Sequence, residues 1–296
     1  MKQLFILFLF SILTQSVVAC DVCGCMLSHN ILPSDTRTFI GVNYRISQFS
    51  GSHTEGSLPT QFYRENYQFV DISAKYSLKN RWEFIAVVPM GQFAQYTDGS
   101  ISDKIKGWGD VNLTTRYAII NKTGLMNHRL SVGATLELPT GKYNQTSDDG
   151  EIYHSRQTGS GTANIVLAAS YGFKHQRWGF QTVGSVKLNN ENKLRYRRGN
   201  SLNGAIDVFY KKKLTEKVDL IPRIGASFET AERNRLNGIN YDLNTARSFA
   251  LGNVALDVYL PKVFFSFSFQ KPLSQTLELG QLENKGRLTA SVNYLF

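Results

Sequence analysis

The chain has 296 residues, of which 42% are hydrophobic and 19% are charged, and its formal net charge is +10. This hydrophobic content excludes a disordered chain, and a mean hydropathy of −0.24 excludes a bundle of membrane helices. Aromatic residues reach 12% with only 7 prolines, a mixture that favours β-strands. Lysine and arginine are scattered rather than gathered with aromatic residues on one surface, so no nucleic-acid partner is expected.

The N-terminus has the composition of a secretory signal. One continuous apolar run, Leu4–Leu13, follows Lys2 and is too short for a transmembrane helix. Small and compact residues precede a cleavage site after Ala19. The sequence therefore predicts a signal peptide over residues 1–19 and export of the mature chain.

All three cysteines lie directly after this signal, in the pattern C-x-x-C-x-C formed by Cys20, Cys23 and Cys25. The stretch from Val17 to Cys20 is similar to the lipobox of bacterial lipoproteins, in which Cys20 carries lipid. Cys23 and Cys25 would then form a disulfide pair. Alternatively the three thiolates bind a soft metal such as copper(I) or zinc, or they are redox-active. We favour a processed periplasmic lead-in over residues 20–36.

The rest of the chain shows apolar residues at every second position, the pattern of strands with two different faces. The last segment shows it best, with apolar residues at alternate positions of Leu288–Phe296 and polar ones at alternate positions of Arg287–Asn293. Twelve such segments occur, and their length of about 9–13 residues suits a membrane-spanning strand, which needs roughly 9–11.

Long and short connections alternate between these segments, as they do in outer-membrane barrels with an even number of strands. Both ends of the chain then lie on the periplasmic side. The predicted long connections are 49–64, 91–106, 140–157, 190–201, 230–245 and 271–285.

The C-terminus resembles the insertion signal of outer-membrane proteins. Phe296 is the last residue, and Tyr294 and three further apolar residues stand in phase with it. We therefore expect the last strand to be recognised by the outer-membrane assembly machinery.

The hydrocarbon core of the bilayer determines which face of each strand points outward, because a charged side chain that faces lipid at mid-bilayer destabilises the barrel by about 2–4 kcal/mol. The apolar face of each strand must contact lipid, and the polar face must line the lumen. The charged side chains predicted for the lumen have both signs, which favours ion pairs that make the interior rigid. The functional alternative is a polar path for a small solute. The predicted lumen-lining residues are Arg45, Asp71, Lys75, Glu83, Asp110, Arg116, Arg129, Glu137, Lys187, Asp207, Arg223, Asp257 and Arg287.

No constellation typical of an enzyme stands out. His154 and Ser155 are adjacent, but a lipid-active barrel enzyme needs such residues on the lipid-facing wall, and these lie in a loop rich in Gly and Asp. Residues 159–161 form a Gly-Ser-Gly step without a following helix, so they are not a phosphate-binding loop. We expect neither catalysis nor a cofactor.

Two motifs carry a resemblance to a known family. They are the G-W-G-D-V-N-L stretch at 107–113 and the L-E-L-P-T-G-K stretch at 136–142. Both resemble the outer-membrane proteins named for the meta-pathway of phenol degradation. The resemblance implies an outer-membrane β-barrel and passage of small compounds, aromatic or apolar ones among them. The glycines, Pro139 and Thr140 are interpreted as structural, since they bend or end strands.

The sequence thus predicts an all-β protein, a closed transmembrane antiparallel up-and-down β-barrel of about twelve strands with a polar lumen, over residues 37–296. We expect it to sit in the bacterial outer membrane, in contact with lipid, and to pass small solutes. The first alternative is a metal-handling surface protein that uses Cys20, Cys23 and Cys25. The second, less favoured, is a lipid-active enzyme.

Overall fold

The structure is a computed structural model that describes residues 36–53, 61–147, 150–240, 245–277 and 282–296. The predicted signal peptide, 1–19, and Cys20, Cys23 and Cys25 lie outside the described residues. No helix in the described ranges is long and apolar enough to cross a membrane.

Twelve antiparallel strands form the wall of one barrel. β4 is interrupted at Gly109–Asp110 and β8 at Lys211. The strands are β1 Phe39–His53, β2 Gln61–Leu78, β3 Trp82–Thr97, β4 Ser100–Trp108 with Val111–Lys122, β5 Met126–Leu138, β6 Asn164–His175, β7 Trp178–Leu188, β8 Ser201–Tyr210 with Lys212–Thr215, β9 Val218–Ala231, β10 Arg247–Tyr259, β11 Val263–Leu277 and β12 Leu282–Leu295.

The barrel is closed because each wall strand is hydrogen-bonded on both sides. β1 pairs with β2 and also with the last strand, β12, where Tyr44 stands opposite Ala290. β8 pairs with β7 and β9, and Ile206 stands opposite Ala226. Closure leaves no strand edge, which is the condition for a sheet to exist in hydrocarbon. The predicted closed barrel of about twelve strands is confirmed.

The two faces of the wall have the predicted polarity. Outward-facing apolar side chains are exposed, as with Ile206 at 49% and Phe267 at 53%, whereas Arg223 and Asp257 on the inner face are buried. Alternate side chains of a strand point to opposite faces. Apolar residues at every second position of each strand therefore make the outer surface of the barrel apolar. An apolar exterior around a charged interior is the construction of an outer-membrane β-barrel, and this places the protein in that membrane.

A girdle of aromatic side chains surrounds the barrel at the end where the short turns lie. Trp82 packs against Tyr117 with ring centroids 4.7 Å apart, and Trp178 packs against Tyr210 at 4.8 Å. Such rings sit at the boundary between lipid and water. Tyr44 also faces outward, but it is the sixth residue of β1 and lies further from the short-turn end.

Several strands run further than the sequence pattern indicated. The predicted long connection 91–106 is a hairpin whose turn is Asp98–Gly99, with φ angles of 51° and 81°. Asp-Gly is the strongest short sequence signal for such a turn, because both central residues need positive φ. Described residues of the stretches 49–64 and 271–285 are likewise mostly strand. β2 has 18 residues, roughly 60 Å of extended chain, so the barrel projects beyond the bilayer at this outer end.

The outer loops carry a small sheet of their own. Three two-residue strands, Tyr196–Arg197, Arg235–Leu236 and Ile239–Asn240, pair side by side. Asn237–Gly238, again with positive φ at both residues, forms the turn of the second pair. This sheet joins the β7–β8 loop to the β9–β10 loop.

The interior is layered rather than uniformly polar. Charged side chains occupy the middle, and buried apolar side chains form a layer toward each end. The outer apolar layer contains Phe49, Tyr67, Phe69, Phe93, Ile105, Phe249, Leu251, Leu277 and Leu282. The layer at the short-turn end contains Phe39, Phe209, Ile221, Tyr259, Phe264 and Leu295.

Replacing Ile206 with Arg tests the outward orientation. Ile206 lies on the lipid-facing side of β8, so we expect Ile206→Arg to lower the free energy of unfolding in lipid vesicles by about 2–4 kcal/mol. Ile101, exposed beside the outer turn, is the matched control, and Ile101→Arg should cost less than about 1 kcal/mol. Equal losses in a denaturant titration would contradict the orientation.

Candidate functional site

The candidate site is the barrel interior together with the β5–β6 loop, residues 139–163. All thirteen side chains predicted to line the lumen lie on inner faces or at the base of this loop. Glu83 is central to one group. Its carboxylate lies 3.1 Å from Nη2 of Arg129, 3.2 Å from Nη1 of Arg116 and 3.9 Å from Nζ of Lys75. Three cations therefore share one buried carboxylate.

A second ionic group lies on the opposite wall. Arg223 on β9 binds Asp257 on β10 at 2.9 Å and approaches Asp207 on β8 at 3.6 Å. Ser266 donates to Asp257 at 2.6 Å, and Gln181 donates to Asp207 at 3.2 Å. This group has two carboxylates for one guanidinium, the reverse of the balance around Glu83.

Apart from Asp110, the remaining predicted lumen charges are paired nearer the middle and outer parts of the wall. Nη2 of Arg45 lies 3.9 Å from Oδ2 of Asp71. Lys187 binds Glu137 at 2.9 Å. Arg287 binds Glu229 at 2.7 Å, a partner outside the predicted set that the polar phase of β9 nevertheless indicated.

The two ionic groups thus carry opposite net charge. Lys75, Arg116 and Arg129 surround Glu83 on β2–β5, for a net +2. The group around Arg223 on β8–β10 has a net −1. Because β3 and β9 lie six strands apart in a barrel of twelve, these two groups face each other across the lumen.

Open space in the lumen lies along β6–β9. Some inner-face residues here are small and only partly buried, namely Ala168, Val183, Ala205 and Gly225, whereas others on the same strands are buried. Inner-face side chains of β1–β3 and β10–β12 are mostly buried, and several of them are large, such as Arg45 and Phe249. The path of least obstruction therefore follows the β6–β9 wall, beside Asp207.

A depression of about 1150 Å³ lies at the same strands. It is lined mainly by outward-facing residues, including Ala169, Gly184, Ala226 and Phe228. Its lining also includes Ala168, Val183 and Ala205, whose side chains point to the inner face.

Asp110 anchors the β5–β6 loop at both of its ends. Its Oδ1 accepts a hydrogen bond from the backbone N–H of Gly141 at 2.8 Å. Its Oδ2 accepts from the N–H and the hydroxyl of Ser160, at 2.7 and 2.6 Å. The carboxylate predicted to line the lumen therefore holds together the G-x-G-D motif, the L-P-T-G motif and the Gly-Ser-Gly step.

Three glycines allow these segments to touch through their backbones. A Cβ added to Gly141 would lie 2.7 Å from the carbonyl carbon of Gly109, and one added to Gly159 would lie 2.4 Å from that of Gly141. Neither position tolerates a side chain, since backbone atoms on both sides would have to move. The two family motifs are thus two halves of one loop anchor.

From this anchor the loop folds against the inner face of the wall. Gly91 on β3 and Gly107 on β4 are paired and face inward, so they leave a recess. Thr158 fills it: its Cγ2 lies 3.3 Å from a Cβ built on Gly91, and its hydroxyl donates to the carbonyl of Trp108 at 3.1 Å. The loop therefore occupies part of the lumen.

Arg156, in the short 3-10 helix His154–Arg156, reaches furthest into the wall. Its guanidinium lies 3.3 Å from Glu65 on β2 and 3.3 Å from Asp103 on β4. The rings of Phe93 and Tyr153 lie 4.8 and 4.5 Å from its Cζ atom. Sequence reasoning missed this group, because its members are up to 91 residues apart.

His154 and Ser155 do not form a lipid-facing catalytic pair. The His154 ring stacks on Tyr196 of the β7–β8 loop at 4.5 Å, and burial lowers the pKa of its imidazole. Within the described ranges no group of three or more His, Cys, Asp and Glu side chains is placed to hold a metal ion. Metal binding by Cys20, Cys23 and Cys25 stays a prediction.

The sequence matches the profile of the family described as "Putative MetA-pathway of phenol degradation" over residues 45–285. The chain belongs to this family. The predicted resemblance is therefore confirmed. No curated protein sequence matches the chain significantly.

Solved structures support the fold. An outer-membrane channel from Pseudomonas putida F1 aligns with a TM-score of 0.61 and 19% identity, over 88% of this chain and 96% of that one. The β domain of the Bordetella autotransporter BrkA aligns at 0.47 and 13%, over 88% and 100%. LpxR from Salmonella typhimurium aligns at 0.43 and 8%, over 86% and 100%. The first similarity shows a shared barrel fold.

Removing the Asp110 carboxylate tests the loop anchor. Asp110→Ala leaves the buried donors of Gly141 and Ser160 without their acceptor, at about 1–3 kcal/mol for each donor. We expect faster amide hydrogen exchange throughout residues 139–163, with the barrel strands unchanged. Glu216→Ala, in an exposed turn at the opposite end, is the control. Unchanged exchange in the loop would show that Asp110 does not anchor it.

Proposed function

We propose that the protein is a channel that lets small solutes cross the outer membrane through its lumen. The observation that carries this is the partly exposed inner wall of small side chains on β6–β9, enclosed within a barrel whose outer surface suits lipid. The thirteen predicted lumen residues supply the charged middle of the path.

The layering of the interior suggests which solutes suit it. Apolar layers containing Phe93 and Tyr67 at one end and Phe209 and Tyr259 at the other favour solutes with an aromatic or apolar part. Membership of the family whose description refers to phenol degradation supports the same class of solutes. The similar barrel from Pseudomonas putida F1 is described as an outer-membrane channel.

The geometry gives little support to an enzyme. The His154–Ser155 pair sits in the inward loop and faces Tyr196 rather than lipid. We therefore propose transport without catalysis.

The ends of the barrel support further proposals. The start of β1 and the end of β12 meet at the short-turn end, where Phe39 pairs with Leu295. We assign this end to the periplasm, as the alternation of short turns and long loops indicates. Phe296, 74% exposed and in phase with the outward face, is available to the assembly machinery. The division into 1–19, 20–36 and 37–296 stays a prediction, and mass spectrometry of the mature N-terminus would test it and show the state of Cys20.

Blocking the lumen with a bulky side chain tests the function. Ala168 and Ala169 are neighbours on β6, the first facing the lumen and the second exposed to lipid. We expect Ala168→Trp to reduce the flux of small neutral solutes into proteoliposomes severalfold, because indole obstructs the β6–β9 path. Ala169→Trp should leave the flux as in the wild type. Flux indistinguishable from protein-free liposomes in the wild type would refute the channel, and equal flux in both variants would refute the path.

Removing the charge of Glu83 tests whether ions pass the charged middle of the lumen. Glu83→Gln leaves Lys75, Arg116 and Arg129 without their shared carboxylate, so the lumen becomes more positive. We expect the reversal potential in a salt gradient across a planar bilayer to move toward anion selectivity. Glu216→Gln, exposed in a turn, should not move it. An unchanged potential in Glu83→Gln would place this group outside the ion path.

A further inference from the structure

The group around Arg156 has the composition of a binding site for a planar organic cation. Two carboxylates, Glu65 and Asp103, lie at 3.3 Å from separate guanidinium nitrogens, and both are nearly fully buried. The rings of Phe93 and Tyr153 lie within 5 Å of the cation. Carboxylates that each bind one nitrogen, together with aromatic faces, are the features that select guanidinium over a simple ammonium.

The carboxylates of this site are held in place by the wall. The Tyr67 hydroxyl donates to Oε2 of Glu65 at 3.1 Å, and the Tyr67 ring packs on Phe93 at 5.0 Å. Glu65, Phe93 and Asp103 stand on three adjacent strands, β2, β3 and β4. The wall therefore supplies a preformed receptor, which we call the guanidinium cage (Glu65, Tyr67, Phe93 and Asp103).

The occupant of the cage, in contrast, is carried by the loop. Arg156 lies between the two ends of the β5–β6 loop that Asp110 anchors. Its neighbours along the loop contact other loops, as when Arg198 donates to the carbonyl of Gln157 at 2.8 Å. The contacts of Arg156 with Glu65 and Asp103 thus tie the second half of an inward loop, four residues before the Ser160 anchor, to the barrel wall.

We propose that the guanidinium cage is a latch: Arg156 occupies it as an internal ligand and keeps the loop in the lumen, and a free guanidinium ion can occupy the same site when the arginine side chain is absent. Release of Arg156 lets the segment around it swing away from β2–β4 while the base of the loop stays on Asp110. The latch rests on the proposed channel function, because it controls the width of that channel.

The test is single-channel conductance in planar bilayers, with guanidinium chloride as the probe. Arg156→Ala removes the latch, and we expect the open fraction to rise about tenfold, as for the loss of one charge-assisted hydrogen bond. Millimolar guanidinium should then reduce the conductance of Arg156→Ala, because it neutralises and fills the cage, but should leave the wild type unchanged. Arg156→Lys keeps the charge without the planar fork and should open to an intermediate extent.

Arg64→Ala is the matched control. Arg64 adjoins Glu65 on β2 but is exposed, so its removal changes the charge nearby without touching the cage. The conductance of Arg64→Ala should equal that of the wild type and should not change when guanidinium chloride is added.

Calorimetric titration of the detergent-solubilised variants with guanidinium chloride separates the two proposals. Binding to Arg156→Ala but not to the wild type or Arg64→Ala supports the cage. If the wild type and Arg156→Ala conduct equally and neither binds guanidinium, the latch is overturned and the channel stands. If no variant conducts in the bilayer, the channel function fails and the gate with it, whatever the titration shows.

Discussion

The need to pair every backbone N–H and C=O within hydrocarbon determines the rest of this structure. A sheet meets that need only when its first and last strands join, and here β1 and β12 close the wall along nearly their whole length. Once the wall is closed, the pleat leaves each residue one of two environments, lipid or lumen. The strict alternation of apolar and polar residues along the strands is therefore a direct consequence of closure in a membrane. Charged side chains can lie only on the lumen face.

Charges confined to a narrow interior must be balanced there, because desolvating an unpaired ion costs several kcal/mol. The structure does so group by group. Glu83 is shared by three cations, while the single guanidinium of Arg223 serves Asp257 and Asp207. Neither group is neutral by itself, and their opposite excess charges face each other across the barrel. Most of the interior is thereby made rigid, and the proposed passage follows the β6–β9 wall, where small residues such as Ala168 and Ala205 take some of the inner positions.

Sequence reasoning predicted what depends on local periodicity. The strands, their number and the faces of residues such as Ile206 and Arg223 follow from the pleat alone, so they could be found without knowing any contact. The strands are longer than the sequence pattern indicated, because they continue beyond the thickness of the bilayer and meet at turns such as Asp98–Gly99. The inward loop could not be foreseen in the same way. Its anchor joins Asp110 to residues 31 and 50 positions away. The periodicity of the sequence indicates strands and their faces, but it does not indicate contacts between such distant residues.

The two family motifs acquire a physical meaning from that anchor. Gly109 and Gly141 permit backbone contact, and Asp110 fixes the contact with three hydrogen bonds, so the motifs build a loop base rather than a reactive site. Backbone-to-backbone packing of this kind has little freedom to rearrange. The segment around Arg156 is held differently, through the arginine side chain on the wall. A loop with a rigid base and a neighbouring segment held by side-chain contacts has its freedom of movement in that segment, so any change in the width of the lumen is expected around Arg156 and not at the motifs.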